Sequence, residues 1–286
     1  FVSSDNVANA EGSVILGGVG NKTTEKAMNA AVVGGVGNTA TGDFALVLGG
    51  GYISMDYVEE EEEKTVKGGG GGGHYERRTA SADNNASGKG SVILGGTNNV
   101  TTAAASESVV VGGKGSTAAN EYTVSVGGIN NKATGKYSAA FGGAGNTASG
   151  DLSLVIGGGY INNPGGIVNG NNVANGRSSM ILGGSNNTTT KEAGQSVIVG
   201  GSGNTASGVN SAVFGGQYNK ASYTQSVVLG GQYNVADGFS SAVLGGEKNT
   251  AKNTYTVAVG GYSNEASGYV AAVFGGQYNK ASYTQS

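Results

Sequence analysis

The chain holds one histidine, His74, and no cysteine. His74 directly follows six glycines, with Tyr75, Arg77 and Arg78 behind it and the acidic run Glu59–Glu63 ahead of it. A general base must be held within hydrogen-bond reach of the proton it takes. A polyglycine tether does the opposite, no thiol is available as nucleophile, and no serine has a histidine held nearby. These residues therefore argue against an enzyme and call for no cofactor. Calcium-binding solenoids place Asp in GGxGxDxUx units. The glycine-rich units here offer neutral Asn, a weak ligand for a hard cation, so no metal site is expected. No GxxxxGK[ST] phosphate loop occurs.

The side-chain chemistry that does recur is the carboxamide. A glycine pair begins at residues 17, 34, 49, 95, 112, 127, 142, 157, 183, 200, 215, 230, 245, 260 and 275. Four residues after its first glycine stands Asn in twelve of the fifteen copies: Asn21, Asn38, Asn99, Asn131, Asn146, Asn187, Asn204, Asn219, Asn234, Asn249, Asn264 and Asn279. The period is 15 residues, with three intervals of 17 and two longer interruptions. If each repeat is one coil of a stack, these amides lie about 4.8 Å apart and can bond to one another along a ladder, as in cross-β stacks.

The elements that would position the ladder follow from the other phases. A large apolar residue precedes every glycine pair, as Leu229 and Phe274 do, and Val, Ala, Leu or Met stands two residues earlier. In a strand those two share a face. The residue between them is apolar in fourteen copies, Ser125 being the exception. Such a strand is apolar on both faces. One face packs inside a coil, and the other needs a second protein surface. The glycine pair makes a corner that Cβ atoms would obstruct, and a later glycine, as at Gly42, Gly135, Gly150, Gly208, Gly238 and Gly268, suits a second turn. The expected fold is all-β: a solenoid of about fifteen coils and about 70 Å. At 57 glycines in 286 residues a helical period does not survive. The strict spacing of aliphatics argues against disorder.

Two interruptions divide the chain. Residues 1–52 form a first module, 53–84 a charged and glycine-rich insertion, 85–160 a second module, 161–171 a short insertion and 172–286 a third module. Both interruptions follow GGGYI and begin where the asparagine is due, and the coil resumes at an asparagine, Asn85 and Asn172. The insertion 53–84 holds eight of the nineteen acids and reads as two extended arms with a flexible tip. Its glutamates, Glu61 at their centre, are either a solvated run or a contact for a basic partner. Tyr57, Glu61, His74, Tyr75, Arg77 and Arg78 are the candidate contacts there, because loops projecting from a regular rod often carry function. Eight of the fourteen tyrosines follow residue 210. Tyr218 and Tyr233 share a phase in adjacent coils and should stack, as plain surface tyrosines or as an aromatic platform for protein or glycan.

Units such as SVVLGGQYNVADGFSSAVLGGEKN resemble the head repeats of trimeric autotransporter adhesins of Gram-negative bacteria, of the GG-x-x-N-x-A-x-G type found in the Moraxella ubiquitous surface proteins. The Yersinia adhesin head is related, with a shorter SVAIG-type unit. The resemblance covers nearly the whole chain outside Ile53–Asn84 and Ile161–Asn171. It implies a left-handed parallel β-roll assembled as a homotrimer, with the S-V-x-L-G-G strand toward the three-fold axis. It also implies multivalent attachment to host cells, extracellular matrix or other bacteria, at a cell surface anchored in the outer membrane. The chain starts and ends mid-pattern and reads as part of a longer protein, so the implied stalk, charged neck and membrane barrel lie outside it.

Other solenoid functions fit less well. Left-handed β-helix acyltransferases run on hexads and about 18 residues per coil, and ice-binding solenoids need a flat threonine array that no phase supplies. A net charge of −3 without a basic stripe argues against a nucleic-acid partner. No apolar run approaches the ~18 residues of a membrane span, so this stretch is not expected to insert in a bilayer. A purely structural spacer, or a phage or viral fibre segment, is the alternative.

Overall fold

The computed structural model describes residues 5–50, 54–58, 74–78, 83–161, 168–169 and 171–286. Among them there is no helix. The chain winds as a β-solenoid of about fifteen turns. Each turn contributes one short strand to each of two parallel sheets. A wide sheet stacks fifteen strands, mostly of three residues, from Val14–Leu16 to Ala272–Phe274. A narrow sheet stacks sixteen two-residue strands from Val7–Ala8 to Lys280–Ala281. Neighbouring strands pair residue on residue at the sequence repeat, as Val227 with Ala242 and Val228 with Val243. A third column of single parallel bridges runs through the residue immediately after the glycine pair, from Gln217 to Gln232 to Glu247.

The alternation of faces along each strand builds the interior. In the coil that begins at Ser226, the side chains of Ser226, Val228, Asn234 and Ala236 are fully buried. The same four columns recur along the rod. The middle residue of each wide strand, Val32, Ile93, Ile198 or Val243 for example, faces the second residue of each narrow strand, usually Ala. Among the described residues Ile is the largest side chain fully buried. A coil this thin holds one aliphatic and one methyl per layer, so the apolar interior is a thread.

The two interruptions do not disturb the stack. Leu46–Leu48 pairs with Val92–Leu94, and Leu154–Ile156 with Met180–Leu182. The coil is described through Gly50 and again from Asp83, so only one coil position separates them. Asp83 stands beside Gly37 of the preceding turn, where a Cβ would run into its carboxylate. The first insertion thus replaces a single residue, the one that elsewhere makes only an isolated bridge. That is the cheapest place to leave the rod, because neither sheet loses a strand residue. Among the described residues there are two antiparallel pairs at the insertions: Ser54–Val58 with His74–Arg78, and Tyr160–Ile161 with Val168–Asn169, so the second excursion begins at Tyr160, one residue before the expected 161.

Candidate binding surfaces

The amide ladder is present, and its chemistry differs from the expected amide-to-amide chain. Asn234 donates from Nδ2 to the carbonyl of Gly230 in its own coil at 3.0 Å and of Gly246 in the next at 2.8 Å. Its Oδ1 accepts the backbone N–H of Asn249 at 2.9 Å. Each carboxamide therefore staples two glycine corners and the next rung's backbone. The reason is supply: positive φ at both glycines turns their carbonyls toward the interior side chain. Direct amide-to-amide bonds are the exception, as from Asn264 Nδ2 to Asn249 Oδ1 at 3.2 Å.

The ladder also bridges both interruptions, so the rungs that the repeat count leaves out are filled. After the first insertion the rung is Asn84, and Asn85 is not in it. Asn84 is fully buried, donates to Asn38 Oδ1 and Gly96 O at 3.0 Å each, and accepts from Asn99 N–H at 3.0 Å. Asn85 opens a narrow strand in register with Thr39 and Val100. Asn172 serves the second insertion, accepting from Asn187 N–H at 3.1 Å, and Asn6 begins the column, accepting from Asn21 N–H at 3.0 Å. The legible signal was spacing: Asn84 and Asn172 each precede the next rung by one period.

The two glycines of a pair have different tasks. Gly184 has φ +79°, and a Cβ there would collide with Gly201 O and Asn187 Nδ2. Gly183 has φ +73° and open space around it. The later glycine, as at Gly208, needs no positive φ; a Cβ there would enter the backbone of Tyr223 in the next coil.

Two features face outward, and the insertion adds a third candidate surface. The first is the outer row of the wide sheet, where Leu229 is 48% exposed, Phe214 49% and Leu244 40%. Every wide strand adds to this row, and a contiguous apolar stripe of this length is unusual on a monomer.

The second is aromatic. Tyr218 and Tyr233 stack with centroids 5.1 Å apart and planes 7° from parallel, as the sequence predicts. Tyr218 also lies over Gly203, whose missing Cβ makes room for its ring. Because the stack runs along the rod, the faces between the rings are used up, and edges and hydroxyls meet solvent. Tyr122 and Tyr137 form a second stack, 4.9 Å apart, which the concentration of tyrosines after residue 210 obscures. Near the far end Lys248 donates to the Tyr262 hydroxyl at 3.0 Å and lies 5.0 Å from its ring centroid. That bond holds Tyr262 below the usual tyrosine range. The carboxylate of Glu107 holds Tyr122 above it.

The third is the insertion. Tyr57 pairs with Tyr75 in register, Val58 with His74, Met55 with Arg77 and Ser54 with Arg78, so five of the candidate contacts share one antiparallel ribbon. Glu61 lies outside the described residues. Shallow grooves run at the corners of the 17-residue coils, one between Asp151, Asn175, Arg177 and Lys191, another between Asn9, Lys22, Glu25 and Lys26. Among the described residues no three of His, Cys, Asp and Glu group as metal ligands would.

No known protein-family model matches the chain. No curated protein matches it significantly.

Proposed function

We propose that the chain is the head of a bacterial surface adhesin, a left-handed β-roll that works as a homotrimer and binds without catalysis. The observation that carries this reading is the apolar stripe along the wide sheet. A solenoid whose interior is a single aliphatic thread leaves a second row of Leu, Val, Ile and Phe in water on every coil. Copies of the same chain, in the same register, are the natural cover for a row that repeats with the coil. The resemblance of the repeats to trimeric autotransporter heads supports the same assembly and supplies the adhesive role. On this reading the partner is a protein or glycan on a host cell, in the matrix or on another bacterium. Contacts are weak singly and gain strength from three chains per head and many heads per cell. The insertion after Gly50 and the tyrosine stacks are the proposed contact surfaces, and no nucleic acid or bilayer is engaged by this stretch.

Attachment assays test this. Immobilised protein should retain epithelial cells or matrix proteins. A variant in which one threonine replaces residues 51–82, so that Asn84 stays in its rung, should lose most of that binding. Full retention by the variant would remove the insertion from the account. No binding by the intact trimer to any such surface would favour the spacer reading, which the uniform 15-residue spacing of the glycine pairs from residue 200 onward also fits.

A further inference from the structure

The ladder has one rung that is not asparagine. Ser116 occupies it, between Asn99 and Asn131, and accepts its place normally on one side: its N–H donates to Asn99 Oδ1 at 2.9 Å. On the other side the amide's work is undone. Ser116 Oγ is fully buried and has no partner. Elsewhere the rung amide donates to the first glycine carbonyl of its own coil and to the second of the next, as Asn131 does to Gly127 O at 3.1 Å and Gly143 O at 3.3 Å. Here those acceptors are Gly112 O and Gly128 O. Among the described residues no side chain donates to either, and Gly128 O accepts the Lys114 N–H at 3.0 Å. The next rung's N–H, that of Asn131, lacks the Oδ1 that a regular rung supplies, as Asn131 does to the Asn146 N–H at 3.0 Å. Asn131 is itself fully buried.

We propose that Ser116 holds a buried structural water that replaces the missing carboxamide. Two carbonyl acceptors, one N–H donor and one hydroxyl converge on the space the amide fills elsewhere. A water donating to Gly112 O and Gly128 O and accepting from Asn131 N–H and Ser116 Oγ satisfies all four. The volume freed by replacing Asn with Ser is on the order of one water, ~30 Å³, and two to four polar partners are what a buried water requires. A monovalent cation fits worse, because the Asn131 N–H turns its positive end into the site. The serine at the middle of the wide strand in this same coil, Ser125, also has a buried hydroxyl without a partner. Its stacked neighbours are Val110 and Ala140, which offer no polar side chain, so it does not form such a site.

Water–amide NOE spectroscopy on the intact protein, with a high-resolution crystal structure, tests the proposal. The Asn131 amide should show a cross-peak to one long-lived water, unchanged in Ser125→Ala and lost in Ser116→Asn, whose own amide fills the space. Ser116→Asn should also slow exchange of the Asn131 amide about tenfold, the change expected for one added hydrogen bond of ~1.4 kcal/mol. Ser116→Gly keeps the carbonyl and N–H partners, so it should keep the water and guards against a failure of the larger side chain to fit. Absence of the cross-peak in the wild-type chain, direct pairing of Ser116 Oγ with Gly112 O, or density that changes with the cation in the buffer would each overturn the proposal.

Discussion

Each residue of a coil is constrained by the copy of itself in the next turn. Gly183 and Gly184 are one letter in the sequence and two tasks in the structure. Gly183→Ala should cost about 1–2 kcal/mol, the price of a left-handed Cβ in open space. Gly184→Ala should cost more than about 4 kcal/mol, since backbone and the Asn187 amide must both give way. Chemical denaturation of the two variants separates them. Left-handed residues that are not glycine carry strain of the same kind. Val270 holds φ +57°, where a β-branched side chain fits worst. Val270→Asn should therefore stabilise the chain by roughly 1 kcal/mol; a loss of stability would show that its exposed side chain is packed against something. The tyrosines give a pH signature. In an ultraviolet titration Tyr262→Phe should remove an early-ionising phenol and Tyr122→Phe a late one, since Lys248 favours the first tyrosinate and Glu107 opposes the second. For Tyr122 the sign is that of a raised pKa: its contribution to stability is intact below the ordinary tyrosine value and is lost as pH rises through the folded one.

The coil was legible in the sequence because its constraints repeat. Apolar phases fixed the wide strand and its two faces, the amide phase fixed a ladder, and equal phase placed Tyr218 on Tyr233. What was not legible depended on backbone orientation. Which groups the amides pair with follows from carbonyls that positive φ turns inward, and residues such as Phe44, Leu152 and Val270 at left-handed corners show no local preference for that conformation. At the insertion, two adjacent asparagines made the re-entry ambiguous by one residue, and burial decides for Asn84. This sharpens a prediction at the scale of the element. Replacing residues 51–82 with a single threonine should leave circular dichroism and thermal unfolding of the rod unchanged. Adding Asn84→Ala to that splice should destabilise it by about 1–3 kcal/mol, the cost of orphaned buried partners. Equal stability of the two splices would refute the assignment of Asn84 to the ladder.

The whole molecule inherits a deficit from the coil. Its interior is too thin to hide both apolar faces of the wide strand, so a single chain leaves the outer row in water at every turn, and the proposed self-association would cover it with one repeated contact. Charge placed on the row should break it: Phe214→Lys with Leu229→Lys should dissociate the assembly while the amide ladder and both sheets persist by circular dichroism. The central claim is the assembly itself, and the mass of the intact chain in dilute solution tests it most directly. Light scattering coupled to size exclusion should give three times the 28.0 kDa of one chain. A stable, well-folded monomer of 28.0 kDa, with the Leu229 row open to water, would contradict it.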